Sequence, residues 1–293
     1  MTSPASNSWL LRPGVRVVRR SPTQWQVGLP PGARLALPDS AAVRTLLQAL
    51  ALGEPVPPSE ALSRLVDAGL LIRRSVLEDL LPSDRPGQQQ AAALAARAGG
   101  NAAAFAWARE EAQVEVRTHG RDALFHADAL RAALSRAGMC AKPTRPRPSV
   151  VVLVSDGQFS RTRTDRLMRE DIPHLPVVLH QGAWLLGPFV DPGVTACQRC
   201  VDHSVADRDP RWPLLVEQSA RCHDPRDLPS PADPTLTQLA VALAVAQVTA
   251  WVEGAPVPTW SATIRVDHDL DLSPRPWPRH PACGCTWADL EAG

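Results

Sequence analysis

Four of the six cysteines stand in two tight pairs, Cys197-Gln-Arg-Cys200 and Cys283-Gly-Cys285, with 82 residues between them. Two thiolates one or two residues apart can hold one ion from a single turn, and two such turns complete a tetrahedron. If all four grip the same ion, the end of the chain must fold back onto residues 197–200, which removes most open topologies. Four sulfur ligands leave no position for water, so the expected site is a structural Zn2+ centre of Cys197, Cys200, Cys283 and Cys285. In zinc peptides such binding stabilises by roughly 10–16 kcal/mol at neutral pH. The plain alternative is four buried thiols; the paired spacing favours zinc.

Composition narrows the setting. The 293 residues carry 31 basic and 30 acidic side chains, a formal charge of +1, which argues against a sequence-independent grip on nucleic acid. A chain of this length makes one large domain or two modest ones and buries enough surface to need no disulfide staples. The start, Met1 to Leu10, lacks the charged and apolar regions of a signal peptide. The greasiest segment, 236–252, is interrupted by Thr237, Gln238, Gln247 and Thr249, so it reads as a buried helix and not as a membrane span. The expectation is a soluble, cytoplasmic protein with no membrane partner and with cysteines that serve as thiols or metal ligands. Lys142 is the only lysine. Any lysine chemistry would fall to it, inside the Pro/Arg-rich stretch 142–148, although codon bias in a GC-rich genome explains the arginine excess plainly.

The first 80 residues form a strand-rich miniature with a winged-helix look. Val15 to Arg19, Gln24 to Gly28 and Ala33 to Leu37 read as strands, joined by turns at Ser21-Pro22-Thr23 and Pro30-Pro31-Gly32. Asp39 or Ser40 fits a helix N-cap, Val43, Leu46, Leu47 and Leu50 recur at helical spacing, and Gly53 ends the run. Pro57-Pro58-Ser59 opens a second helix with Leu62, Leu65 and Val66 on one face and Glu60, Arg64 and Asp67 on the other; Gly69 stops it before an extended 70–73. Residues 82–90 read as a hinge, which puts a boundary between a module at 1–82 and a domain at 83–293. An alanine-rich helix broken at Gly99-Gly100 follows. From there the pattern is α/β: strands at 114–116, 149–154, 177–179 and 184–186, helices at 122–137, 161–170 and 236–252, with Gly254 as a stop. The unbroken run Ser149 to Val154 suits a strand covered on both faces of a parallel sheet.

The residues around the cysteines carry a resemblance. Gly187-Pro188-Phe189-Val190-Asp191-Pro192-Gly193 leads into Cys197-x-x-Cys200, Asp209-Pro210-Arg211-Trp212-Pro213 follows, and His280-Pro281-Ala-Cys283-Gly-Cys285 closes the chain. Together, over residues 84–293, they resemble the ThiF-like (E1-like) partner proteins of azole-forming, bacteriocin-type peptide biosynthesis. The first 80 residues, with Arg12-Pro13-Gly14-Val15-Arg16, resemble the PqqD-like recognition element that binds leader peptides.

The resemblance implies a fold class, a winged-helix-like module followed by an E1-like α/β domain, and a division of work. A leader peptide would add to the edge of the third strand at Arg34, Leu35, Ala36 and Leu37, beside Glu60, Arg64 and Asp67 on the helix. Relatives of the E1 type hold ATP with several glycines, cations and a metal-binding aspartate. Here the turn after the strand reads Arg117-Thr118-His119-Gly120-Arg121-Asp122, with one glycine and no lysine, so no ATP is expected. Asp156 and Arg161 stand where such an aspartate and arginine would, although a strand-ending aspartate is more often a cap. Cys222-His223 offers a thiol beside an imidazole, but sequence neighbours seldom face one another and no orienting residue follows. His119, His126 and Cys140 read as local structure, and the nine tryptophans as anchors. The resulting expectation is a non-catalytic partner, with no catalytic residues, that presents a precursor peptide to a YcaO-type cyclodehydratase and can form a homodimer. The rivals are an adenylating enzyme acting on a peptide or carrier carboxylate, and a partner of another peptide-tailoring enzyme.

Overall fold

A computed structural model describes residues 8–30, 33–81, 85–141, 145–221 and 229–285. The chain divides into two units, Met1–Trp107 and Ala108–Gly293. The first begins with β1 (Trp9–Leu11), β2 (Val17–Ser21), β3 (Gln24–Val27) and β4 (Leu35–Pro38). β2, β3 and β4 pair in sequence order as an antiparallel sheet, with Arg19, Trp25 and Leu37 in one register and Val17, Val27 and Leu35 in the next. Because side chains alternate across a strand, these two registers share a face, and Val27 and Leu37 lie buried on it.

Two helices cover that face. α1 (Ala41–Leu52) starts where Ser40 Oγ accepts the Val43 N–H at 3.2 Å and stops at Gly53, which takes the left-handed conformation. α2 (Glu60–Asp67) is capped in the same way by Ser59, whose hydroxyl accepts the Leu62 N–H. Val43, Leu46, Leu47, Leu50, Leu62 and Leu65 pack with the strands into one core.

β5 (Leu71–Arg73) pairs antiparallel with β1, Leu10 opposite Ile72, and α3 (Arg74–Leu80) and α4 (Arg85–Ala98) follow. The expected hinge over 82–90 is therefore helical from Arg85 onward, and residues 82–84 lie outside the described ones. A 3-10 turn at Gly99–Asn101 separates α4 from α5 (Ala102–Glu111), as the glycine pair predicts. Leu94, Ala95 and Ala102 bury against Ile72. This contact places α4 in the first unit, whereas the sequence reading assigns it to the second. Arg12 donates to the carbonyls of Gly69 and Ala96, so the opening motif secures α4 as well.

The second unit is a six-stranded mixed sheet. It contains β6 (Val114–His119), α6 (Ala123–Arg136), β7 (Val150–Ser155), α7 (Thr162–Arg169), β8 (His174–His180), β9 (Ala183–Leu186), α8 (Gln198–Ala206), α9 (Trp212–Ser219), α10 (Pro234–Val252), β10 (Ala262–Val266) and β11 (Arg275–Pro276). The order is β11-β10-β9-β8-β7-β6, with β6, β7 and β8 parallel and the rest antiparallel. All six residues of β7 are buried, as its β-branched run requires. One sheet face, with Val152, Val177, Trp184 and Ile264, packs on α6 and α10. α10 is long and apolar enough to cross a membrane by length and composition, yet Leu236, Ala240, Ala244 and Val248 belong to this core, and Thr237 accepts the Trp184 indole N–H at 3.1 Å.

His174 opens β8 fully buried, its Nδ1 2.9 Å from the Ile172 carbonyl oxygen. Burial pushes its pKa from 6.5 down to about 4. As pH falls, the unfolded chain takes up this proton first, so stability is full above about pH 6.5 and is lost progressively toward pH 4, by about 3 kcal/mol in all. Urea titrations of the wild type across that window should show the decline. A His174→Leu chain, whatever its starting stability, should show a flatter pH profile; an unchanged slope would remove His174 as its source.

Candidate functional site

The four paired cysteines converge. Cys197 is the residue before α8 and Cys200 lies in its first turn, while Cys283 and Cys285 lie beyond β11. Sulfur separations are 3.8 Å for Cys197–Cys200, 3.6 Å for Cys197–Cys283 and 3.3 Å for Cys200–Cys285, and all four sulfurs fall within 4.8 Å of one another. A tetrahedral zinc with bonds of about 2.3 Å needs sulfurs about 3.8 Å apart, so the donor set fits that ion. Val190, Ala196, Val201 and Trp277 bury the cluster.

Four thiols this close cannot share charge comfortably. The Cys197 thiol, donating to Cys200, holds Cys200 down at about 4, while Cys197 itself is pushed up by that bond and by burial. Cys285 is raised to about 12, first by burial and then by its thiol neighbours. A dication reverses this conflict by favouring every thiolate at once. Such a metal would be structural: it sews the chain's end to α8, and no ligand position remains for a substrate.

The residues expected to meet a peptide lie together in the first unit. β4 has one hydrogen-bonded neighbour, β3, among the described residues, and α2 packs beside it. Asp39 N–H bonds to the Thr23 carbonyl on the β3 side. By the two-residue alternation of a strand, Leu37 and Leu35 also turn their backbone groups toward β3, and Ala36 turns its N–H and C=O outward. Leu37 is buried in the core and Leu35 packs against it, so neither side chain can lead a contact. Arg34, Glu60, Arg64 and Asp67 are exposed.

The start of α6, where a phosphate would rest, is occupied by protein groups. Asp156 Oδ2 accepts the Asp122 N–H at 2.6 Å, and Asp122 Oδ2 accepts the Ser230 N–H at 2.6 Å. Gly120, with φ of 94°, makes room for this: a Cβ there would sit 1.2 Å from Asp156 Oδ1. Asp156 thus ties down the turn that leads into α6. Arg161 is not available for phosphate, because it is buried and forms a two-pronged ion pair with Asp202, at 2.6 and 2.9 Å. No local sequence signal announces that partner, 41 residues away. His126 stands edge-on to Trp184 at 4.9 Å, and burial lowers the pKa of both His126 and His119. Cys222-His223 and Lys142 lie outside the described residues.

No family model and no curated protein matches the chain. Solved structures do. A heterocyclase in complex with substrate and cofactor superposes with a TM-score of 0.65 at 19% identity, over 95% of this chain and 40% of that one. The heterocyclase TruD gives 0.66 at 20% identity over 95% and 42%. E. coli MccB, solved with ATP, gives 0.59 at 12% identity over 95% and 99%. At such identities the likeness is one of fold, and this chain spans about two fifths of the heterocyclase chains.

Plasma mass spectrometry of the purified protein should find about one zinc per chain. Cys285→Ser or prolonged chelation should lower the melting temperature by about 10–20 °C, the result of losing several kcal/mol from a unit of this size. A metal-free chain that melts at the same temperature as the wild type would mean four ordinary thiols.

Proposed function

We propose that this chain is a leader-peptide-binding partner that presents a ribosomally made precursor to a separate YcaO-type, ATP-dependent cyclodehydratase for azoline formation. The first unit would act as a PqqD-like, winged-helix-like recognition element. The second would act as an E1-like domain with a structural zinc and without nucleotide chemistry. The observation that carries the reading is the edge of β4 beside α2, which has no strand partner among the described residues. An extended peptide can hydrogen-bond to Ala36 there while its side chains meet Arg34, Arg64, Glu60 and Asp67. Pro38 has no N–H to offer, so the useful register is short and centred on Ala36.

The fold likeness to heterocyclases supports the azoline setting. In that arrangement this protein supplies proximity: a bound leader raises the local concentration of the core peptide at its partner.

MccB shares the fold and has been solved with ATP, which makes adenylylation the rival. The arrangement at α6 argues against it. A triphosphate arriving there would meet the carboxylates of Asp156 and Asp122, and Arg161 is already neutralised by Asp202. Like charges at that range repel.

Fluorescence anisotropy with the leader encoded beside this chain tests the reading. Arg34→Glu and Ala36→Pro should each weaken binding about tenfold or more; the second removes an outward donor and leaves the β3 pairing intact. Unchanged affinity in both would exclude the β4 edge. ATP should neither bind saturably nor support pyrophosphate exchange with any peptide carboxylate, and exchange at a measurable rate would establish the rival.

A further inference from the structure

The sheet of the second unit buries one face against α6 and α10. On the opposite face, alternate residues of the strands floor a cavity of about 310 Å³, among them Val178, Ala183 and Leu185. Val201 of α8, Trp212 and Trp277 wall it. Its size lies at the lower end of the range for small-molecule sites, and its lining is mainly apolar with a few polar groups, as such sites are.

The charges at this cavity do not cancel. Among the described residues Asp202 is the one carboxylate lining it, and both of its oxygens are taken, by Arg161 twice and by the Trp212 indole at 3.0 Å. Arg161 spends its other donors on the Phe159 carbonyl and on Gln158. Arg265 is paired with Asp267. Burial, with Arg265 nearby, lowers the pKa of His180 and so disfavours its charged form. Arg275 remains: it is exposed, it stacks over Trp277 with 4.3 Å between guanidinium carbon and ring centre, and it faces no carboxylate among the described residues. A cation over an aromatic wall, at an apolar hole, suits an anionic head on a greasy body.

We propose that this cavity binds a carboxylate carrying an aromatic or branched apolar body, with the head on Arg275 and the body against Trp212, Leu185 and Val201. Two sources share that chemistry, a free small acid and the last residue of a peptide chain. Binding at this cavity does not depend on leader recognition.

Calorimetric titration of the full chain with 3-phenylpropionate, with its neutral amide, and with the tetrapeptide Ala-Ala-Ala-Phe tests this. The acid should bind saturably with a Kd below about 1 mM, and the amide should bind about tenfold more weakly. Arg275→Gln should cost the acid about tenfold, and Ala183→Leu, which fills the cavity, should abolish binding while the melting temperature holds. Binding of the acid alone assigns the site to free acids, and binding of the tetrapeptide as well assigns it to chain ends. The proposal is overturned if neither anion binds, if the amide equals the acid, or if a folded Ala183→Leu chain binds as tightly as the wild type.

Discussion

Closure by sulfur is the constraint on which the second unit depends. Residues 197–200 and 283–285 are far apart in the chain, and the four thiols they bring together are an unfavourable cluster unless a cation offsets their charge. Once they are clamped, much else is positioned. α8 starts at the clamp, so Asp202 is placed to receive Arg161 and the Trp212 indole. The strand β11 and Trp277 run into the clamp from the other side, and Trp277 hydrogen-bonds Thr263 of β10 at 3.0 Å. The cavity exists between those two arms. A buried ion pair such as Arg161–Asp202 contributes little net stability, but it costs several kcal/mol to break one-sidedly, which makes the register of α8 hard to change.

Local chemistry made part of this architecture readable. Ser40 and Ser59 cap as their spacing predicts, Gly53 takes the left-handed turn, and the run at 149–154 is the strand buried on both faces. The cysteine pairs come together as ligands would. Features that depend on distant partners were not readable. β1 and β5 are three residues each, and each finds its strand partner only in the other, far along the chain. Nothing in 85–98 says that its apolar face belongs to Ile72, so the helix there passes for a hinge and the start of another domain. Arg161 looks like a phosphate ligand until Asp202 is seen beside it.

The two units use opposite means of handling polar backbone. In the first, a sheet edge has no strand partner among the described residues, which invites a strand from outside. In the second, the N–H of Asp122, the residue before α6, is taken internally by Asp156, and Gly120 leaves room for that carboxylate. The proposed role as a peptide carrier rests on the open β4 edge of the first unit.

The clamp can be examined at the atom that defines it. X-ray absorption at the zinc edge of the purified, full-length protein should report four sulfur neighbours at about 2.3 Å and no lighter atom in the first shell, a closed site with no chemistry of its own. Three sulfurs with an oxygen or nitrogen neighbour would mean an open coordination position, and would contradict the structural role on which this account of the second unit rests.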